Sequence, residues 1–257
     1  MGIFSNLVRT PNMAESSDYE GGFQYLDTDI YKAKIISAYA DVYKSGAQFV
    51  VIKYKVTKKD GTTQDLTGRY TITNKNNKFT YLGKDGIEYP YPGYDLLDQM
   101  CWLLTGKPLS DQDAEVKNLP IYSVAEGKEV PQPVQCLVEL FGQEILVGIQ
   151  KIRKNKEAKD ASGNYIKTSD EKIENEVVKV WHPDYKATVK ELRMDEKNGV
   201  DPNTVEHPYF NKWLSLNQGK TKDTYTETIG ATTTSTTFGG NTGAASAQSR
   251  VFGQRAS

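Results

Sequence analysis

Three segments in the first third of the chain, 29–40, 47–58 and 64–73, alternate their side chains with a period of two. Successive side chains of a strand point to opposite faces, so this pattern predicts three consecutive antiparallel strands. Residues 59–61, Lys-Asp-Gly, supply a turn between the second and third strands. Gly68 interrupts the third strand, and an interior glycine often marks a bulge or a close backbone approach. We therefore expect a mainly β protein with a curved sheet or barrel.

Charge is segregated along the chain, although the total is nearly neutral. The 32 basic and 33 acidic residues give a formal net charge of −1. Residues 29–84 carry eleven Lys or Arg against four Asp or Glu, interleaved with eight aromatic side chains, whereas residues 85–149 sum to −8. Because phosphates need cations and unstacked bases need flat rings, residues 29–84 indicate a surface for single-stranded nucleic acid. A Lys-rich solvated sheet face is the alternative interpretation.

Two helices are predicted further along the chain. In residues 95–105, apolar side chains recur at i, i+3, i+4 and i+7, and Gly106 and Pro108 end the pattern. Residues 208–217 begin at a His-Pro pair and predict a final short helix.

A second hairpin is predicted in the middle of the chain. Residues 134–140 and 145–152 have the pattern of short strands, and Gly142 lies at the turn between them. Residues 160–172 are predicted to form a flexible loop, after which residues 176–181 return to the sheet.

The length and the modest hydrophobic fraction of 37% indicate one domain, residues 25–217, with polar margins. Residues 1–24 are a predicted flexible N-terminal arm, and residues 218–257, rich in Thr, Gly, Ala and Ser, a predicted disordered tail. Signal-peptide features are missing, and no segment approaches the roughly 20 apolar residues of a membrane span, so we expect a soluble intracellular protein. Cys101 and Cys136, each in an apolar stretch, are expected to be buried reduced thiols.

Motifs for catalysis and cofactor binding are absent from the sequence. It contains no GxxxxGK[ST], GxGxxG, HExxH or GxSxG motif. Each of the two histidines precedes a proline, which makes a catalytic triad or a His-based metal site hard to assemble. Asp95 and Asp98 lie near the start of the first predicted helix, where negative charge suits the helix dipole better than a metal role. We expect no enzymatic activity, no metal and no cofactor.

Two segments carry a resemblance to a known family. Residues 91–110 (YPGYDLLDQMCWLLTGKPLS), followed by residues 134–152 (VQCLVELFGQEILVGIQKI), are similar to bacteriophage single-stranded DNA-binding proteins built on the OB fold. Gln143 stands where that family has a basic residue in the turn of its later hairpin. The resemblance covers about residues 25–195. It implies an OB-fold-like five-stranded antiparallel barrel with an inserted short helix, an extra hairpin and disordered termini.

The resemblance also implies a function. Proteins of this family coat and protect single-stranded DNA, without sequence preference, during phage DNA replication, recombination and repair in the cytoplasm of the infected bacterial host. The expected partners are single-stranded DNA, further copies of the chain on DNA, and replication or recombination proteins that contact the C-terminal tail; no membrane is expected.

The tail departs from the family pattern. Many phage and bacterial proteins of that type end in an acidic tail tipped by an aromatic residue, but residues 237–257 contain Arg250 and Arg255 and no Asp or Glu. An autoinhibitory acidic tail is therefore not expected. Partner docking, self-association, a weak additional DNA contact and an inert linker are the alternatives.

The candidate DNA site lies on the second and third predicted strands, between loops at 57–63 and 74–78. The predicted phosphate contacts are Lys53, Lys55, Arg69, Lys75, Lys78 and Lys84, and the predicted stacking residues are Tyr54, Tyr70, Phe79 and Tyr81. Phe79 and Tyr81 share a parity just past the second loop, so they are the preferred stacking platform.

Strand alternation separates some of these candidates. Because Lys53 and Lys55 share one face, Tyr54 points to the other and is either a stacking residue or a core residue. Arg69 and Tyr70 are separated in the same way unless the strand bulges.

A second basic group, Lys151, Arg153, Lys154 and Lys156, follows the predicted second hairpin. If this hairpin protrudes from the barrel, these residues can clamp the DNA strand. The alternative interpretation is that these residues are solvated side chains at the base of a loop.

Two other functions fit the same composition. One is a phage virion structural or assembly protein whose unstructured ends order against neighbouring subunits. The other is a recombination mediator that anneals complementary strands.

Overall fold

Ten strands and three α-helices form the described part of the chain, residues 24–123, 125–160 and 165–227 of a computed structural model. The strands are β1 (Asp29–Val42), β2 (Gln48–Thr57), β3 (Thr63–Thr71), β4 (Thr80–Leu82), β5 (Glu88–Pro90), β6 (Ala114–Ser123), β7 (Lys128–Leu137), β8 (Glu144–Lys159), β9 (Tyr165–Trp181) and β10 (Thr221–Asp223). The helices are α1 (Pro92–Thr105), α2 (Val189–Asn198) and α3 (Pro208–Asn217). The protein is mainly β, as predicted.

The three strands predicted at the start of the chain are confirmed as β1, β2 and β3. β1 pairs antiparallel with β2, and β2 pairs antiparallel with β3. On β2, Val50 and Ile52 point into the core, while Lys53 and Lys55 point outwards, as the alternation predicted. The β2–β3 register continues without a shift through Gly68, so the bulge considered there is not formed.

The predicted hairpin of residues 134–152 is wrong. β7 pairs antiparallel with β1 at Tyr39, and β8 pairs antiparallel with β1 at Lys32. The two strands therefore run in the same direction along one side of β1. Gly142 (φ 77°) lies in the segment that connects them, and its N–H donates to the carbonyl of Ile35 at 2.8 Å. The sequence pattern identified both segments as strands but not their common partner, which is distant in the chain.

β7 pairs with β6, a strand that the sequence analysis missed. This hairpin folds over the outward face of β1 and β2, where a second, smaller core forms from Tyr39, Phe49, Val51 and Cys136. Leu119 of β6 packs against this core. The hairpin thus covers part of the surface that the sequence assigned to DNA.

β8 and β9 form an antiparallel hairpin that extends past the part of β8 paired with β1. The predicted flexible loop at 160–172 is wrong from Tyr165 onwards, because Tyr165 already pairs with Lys159. Residues 161–164 lie outside the described residues.

Part of the predicted C-terminal tail belongs to the sheet. β10 pairs in parallel with β8, and the N–H of Thr226 donates to Oδ1 of Asn155 at 3.0 Å. Residues 1–23 and 228–257 lie outside the described residues, so the predictions for the arm and for the rest of the tail stay predictions.

α1 packs across the main core with Leu97, Met100 and Cys101 fully buried. The helix begins at Pro92, three residues before its predicted start, and ends at Gly106 in the left-handed conformation (φ 72°). It contacts β3 and β9, the edge strands of the hydrogen-bonded order β9-β8-β1-β2-β3. Among the described residues no backbone hydrogen bonds join β3 to β9. The described strands therefore form an antiparallel sheet, and α1 contacts both of its edge strands.

α2 was missed in the sequence, although a capping box marks its start. Oγ1 of Thr188 accepts from the N–H of Glu191 at 3.4 Å, and the Glu191 carboxylate accepts from the N–H of Thr188 at 2.8 Å. Oε1 of Glu191 also accepts from the N–H of Tyr209 at 3.1 Å, which joins α2 to the start of α3. α3 is confirmed with its predicted bounds.

Both cysteines are buried, as predicted, and neither is in a disulfide. Burial raises the pKa of Cys101 to about 12, so this thiol stays protonated at physiological pH. In the part of the chain that the structure describes, no helix has the length and apolarity needed to cross a membrane.

Candidate nucleic-acid interface

Tyr54 and Tyr70, two of the predicted stacking residues, lie in the core. They are 1% and 7% exposed, and their hydroxyl groups are 2.8 Å apart. Burial raises the pKa of both phenols. The Tyr70 ring lies over Gly68, where a Cβ would come within 2.7 Å of Tyr70 Cζ. A base cannot reach either ring, so we correct the prediction: both tyrosines are core residues.

Lys53, Lys55 and Arg69 lie on the outward face of β2 and β3. Nζ of Lys53 is 3.6 Å from Oε1 of Glu129 on β7 and donates to the carbonyl of Pro120 on β6 at 3.4 Å. The β6–β7 hairpin therefore already engages Lys53. Lys55 is exposed and makes no ion pair with another described residue.

Arg69 is held by an aromatic ring rather than by a carboxylate. Its guanidinium lies 4.8 Å from the centroid of Phe49, which in turn contacts the ring of Tyr43 at 4.2 Å. Among the described residues, no acceptor takes a hydrogen bond from the Arg69 side chain. Its N–H groups can therefore face a phosphate.

Phe79 and Tyr81 lie at the start of the β4–β5 hairpin and are about half exposed, at 47% and 43%. Phe79 stacks on Tyr94, with ring centroids 4.7 Å apart. Tyr81 lies 5.5 Å from Tyr91 and 6.1 Å from Tyr89, centroid to centroid. We call these five side chains the ring cluster.

Three members of the ring cluster, Tyr89, Tyr91 and Tyr94, were missed by sequence reasoning. No stacking role was predicted for the run at 89–94, YPYPGY, which directly precedes the first predicted helix. Three tyrosines within six residues, close to two other aromatic side chains, were the available signal.

The β4–β5 hairpin leads directly into α1, whose first turn lies against the end of β3. The N–H of Tyr91 donates to the carbonyl of Phe79 at 2.9 Å. Gly93 lies so close to β3 that a Cβ there would be 2.5 Å from the carbonyl oxygen of Thr71. The ring cluster therefore adjoins the strand that carries Arg69.

Three lysines flank the ring cluster. Lys75 and Lys78 belong to a loop in which Oδ1 of Asn74 accepts from the N–H of Lys78 at 3.0 Å. Gly46 of the β1–β2 loop lies beside this loop, since a Cβ there would be 3.6 Å from the carbonyl oxygen of Lys75. Lys84 is exposed at the hairpin turn. None of the three lysines makes an ion pair with another residue in the described ranges.

The second basic group is largely neutralised by carboxylates of the same chain. The pairs are Lys151 with Asp27 at 3.3 Å, Arg153 with Glu171 at 2.8 Å and with Asp223 at 3.0 Å, and Lys154 with Glu174. Lys156 is exposed and has no ion-pair partner among the described residues. These residues lie on strand β8 and not at the base of a loop, and Lys156 is the member of the group whose charge is not paired with a described carboxylate.

The two histidines have structural partners. Nδ1 of His207 lies 3.0 Å from the carbonyl oxygen of Tyr185, and Nε2 lies 2.7 Å from Oδ2 of Asp195. The ring of His182 stacks on Tyr185 at 4.3 Å. Within the described ranges, no group of three or more His, Cys, Asp or Glu side chains is placed to hold a metal ion.

Comparisons of the chain with protein-family models, with curated proteins and with solved structures returned no match. The candidate interface therefore rests on its geometry. It consists of the ring cluster with Lys75, Lys78 and Lys84 beside it, and of Arg69 and Lys55 on the adjoining strands.

Proposed function

We propose that the protein binds single-stranded DNA without sequence preference and coats it during phage DNA replication, recombination and repair in the infected bacterial cell. The observation that supports this proposal is the ring cluster beside Lys75, Lys78 and Lys84. Each base that stacks on an exposed ring gains on the order of 1–3 kcal/mol. The phosphates between stacked bases then meet lysines that have no carboxylate partner among the described residues.

The proposed DNA path leads from the ring cluster over the outward face of β3 and β2. Arg69 and Lys55 lie on this path, whereas Lys53 joins it only if Glu129 releases the ammonium group. Because each neutralised phosphate releases counterions, we expect the affinity to fall as the salt concentration rises.

The proposed scaffold is a five-stranded OB-like barrel of β1, β2, β3, β8 and β9, with α1 as the inserted helix. The strand order and the contacts of α1 with both edge strands support it. β3 and β9 also contact each other, which brings the two edges of the sheet together. Barrels of this type bind a single strand across their second and third strands.

The Phe79→Ala/Tyr81→Ala variant tests the proposed site. We expect at least tenfold weaker binding to a fluorescent oligo-dT, measured by anisotropy, because two stacking contacts of about 1–3 kcal/mol each are lost. The melting temperature should not change, since both side chains are half exposed. Tyr209→Ala on α3, where Tyr209 is 46% exposed, is the matched control and should keep wild-type affinity. Wild-type affinity of the double variant would remove the ring cluster from the proposed site.

A further inference from the structure

A groove of about 640 Å³ lies between α1, the end of β9 and α2. Two carboxylates, Asp95 and Asp98, line it, and so do four cationic side chains: Lys179, Lys190, Arg193 and Lys197. None of these four cations makes an ion pair with another described residue. In the second basic group on β8, by contrast, three of four cations are bound to carboxylates. The groove therefore carries positive charge that the described part of the chain does not pair.

Three of these cations lie on one side of α2. Lys190, Arg193 and Lys197 follow each other at i, i+3 and i+7, and all three side chains are exposed. Met194 also lines the groove and is 54% exposed. Met and Arg are enriched where proteins contact each other. We call these four residues the α2 stripe.

The segment that follows α1 has the opposite charge. Residues 109–115, LSDQDAE, contain three carboxylates and no Lys or Arg. Asp111 and Asp113 are exposed, and neither makes an ion pair within the described ranges. Lys117, the next cation along the chain, is bound to Glu115 at 2.7 Å. We call Asp111 and Asp113 the acidic patch.

The α2 stripe and the acidic patch lie against the same side of α1. Trp102 and Thr105 are three residues apart on this helix and are therefore neighbours on its surface. The Arg193 guanidinium lies 4.4 Å from the ring centroid of Trp102. Nε2 of Gln112, the residue between the two acidic ones, donates to Oγ1 of Thr105 at 2.8 Å. One face of the molecule thus presents both unpaired cations and unpaired carboxylates.

The carboxylates on this face favour a protein partner over DNA. Asp95 and Asp98 in the groove, with the acidic patch beside it, would lie against the phosphates of a bound strand, and like charges in contact oppose binding. A second copy of the chain offers both charges on the same face. When two copies meet across a twofold axis, every contact occurs twice, so each α2 stripe can meet the acidic patch of the other copy.

We propose that two copies of the chain associate through this face as a closed, twofold-symmetric dimer. The α2 stripe of each copy pairs with Asp111 and Asp113 of the other copy, and Met194 is buried between them. Because the pairs form between exposed charges, the association weakens as the salt concentration rises. The dimer forms without DNA, and no residue of the ring cluster belongs to the α2 stripe or to the acidic patch.

Sedimentation equilibrium of the full-length chain, without DNA, tests the proposal. The wild type should show a monomer–dimer equilibrium whose association constant falls at least tenfold at high salt. Lys190→Glu/Lys197→Glu and Asp111→Lys/Asp113→Lys should each associate at least tenfold more weakly, because each double variant brings like charges together. All four side chains are exposed, so the melting temperatures should not change.

An equimolar mixture of the two double variants is the decisive sample. In the mixed dimer, the reversed stripe meets the reversed patch, and the unchanged patch meets the unchanged stripe. Both halves of the interface then attract, so the mixture should regain the wild-type association constant. The control is Lys44→Glu/Lys84→Glu, which changes two exposed lysines outside the groove and should associate as the wild type does.

Three sedimentation results would overturn the proposal: a wild type that stays a single copy at low salt, double variants that associate as the wild type does, and a mixture that associates no better than its components. Masses above two copies would show an open head-to-tail assembly and overturn the closed dimer. These results involve no DNA and are independent of the proposed function. A tenfold loss of affinity for a short oligo-dT in Lys190→Glu/Lys197→Glu would also overturn the proposal, since DNA would then occupy the groove.

Discussion

Phe79 stacks on Tyr94, with ring centroids 4.7 Å apart and an angle of 29° between the ring planes. Phe79 directly precedes β4, and Tyr94 lies in the first turn of α1, the helix that packs across the core. The contact therefore fixes the exposed ring on a rigid element. A surface that is ordered before it binds loses less conformational entropy on binding than a mobile loop.

Tyr94→Ala tests whether this support matters for binding. Without the ring beneath it, Phe79 becomes mobile, and we expect about fivefold weaker binding to oligo-dT, since such aromatic pairs contribute about 0.5–1.5 kcal/mol. Tyr94→Phe keeps the ring and should bind as the wild type does. Anisotropy titrations of both variants decide the point; an unchanged affinity in Tyr94→Ala would show that Phe79 needs no support.

Gly68→Ala should destabilise the core by about 1–3 kcal/mol, as overpacking does elsewhere. The added methyl group meets the Tyr70 ring, which cannot move without losing its hydrogen bond to Tyr54. The free energy of unfolding from urea titration measures the effect. If the ring is the cause, the same substitution in a Tyr70→Leu background should cost less than half as much. Equal costs in both backgrounds would point to another source of strain.

Stability should decline above pH 10 because of Tyr54 and Tyr70. Burial raises the pKa of both phenols above 10, the ordinary value for a tyrosine side chain. Above that pH, tyrosine ionises in the unfolded chain but not in the fold, so the unfolded state gains about 1.4 kcal/mol per pH unit for each group until the folded pKa is reached. Tyr54→Phe/Tyr70→Phe should therefore lose stability less steeply between pH 9 and pH 11 than the wild type does.

The control for the alkaline experiment is Tyr122→Phe, because Tyr122 is 61% exposed. Its free energy of unfolding should follow the wild-type pH dependence. A double variant that declines as steeply as the wild type would show that other groups set the alkaline limit.

Asp195→Ala should cost about 1–3 kcal/mol of stability, the penalty for leaving a buried polar atom without its hydrogen-bond partner. The His207 side chain is buried, and its Nε2 lies 2.7 Å from Oδ2 of Asp195. The substitution removes this partner. Asp184→Ala, an exposed neighbour, is the control and should be neutral in thermal unfolding. Equal stability of both variants would show that His207 does not need the contact.

The parts of the fold that could be predicted are those determined by local alternation. Strand alternation on β2 predicted that Lys53 and Tyr54 lie on opposite faces of the sheet, and the structure confirms this prediction. The same reasoning could not find the β6–β7 hairpin over Lys53, because its contact with Glu129 joins strands that are far apart in the sequence. Nor could this reasoning show that β8 pairs with β1 and not with β7.

Sequence reasoning predicted only those members of the candidate site whose exposure does not depend on contacts with distant parts of the chain. Phe79 and Tyr81 are exposed, as a stacking platform must be. The tyrosines at 89–94 that pack beside them could not be predicted, because those contacts depend on how the β4–β5 hairpin lies against α1. α2 was missed because its sequence, VKELRMDEKN, is mostly polar, and only Val189 and Leu192 pack into the core from it, too short an apolar pattern to mark a helix. Its capping box at Thr188 and Glu191 was nevertheless readable in the sequence.

The most direct test of the central proposal is the affinity of the purified protein for a single-stranded oligo-dT and for a duplex of the same length, measured by anisotropy at two salt concentrations. Binding at the ring cluster predicts a preference of at least tenfold for the single strand, since stacked base pairs cannot lie on the rings. It also predicts weaker binding at the higher salt concentration. Equal affinity for the single strand and the duplex would contradict the proposal.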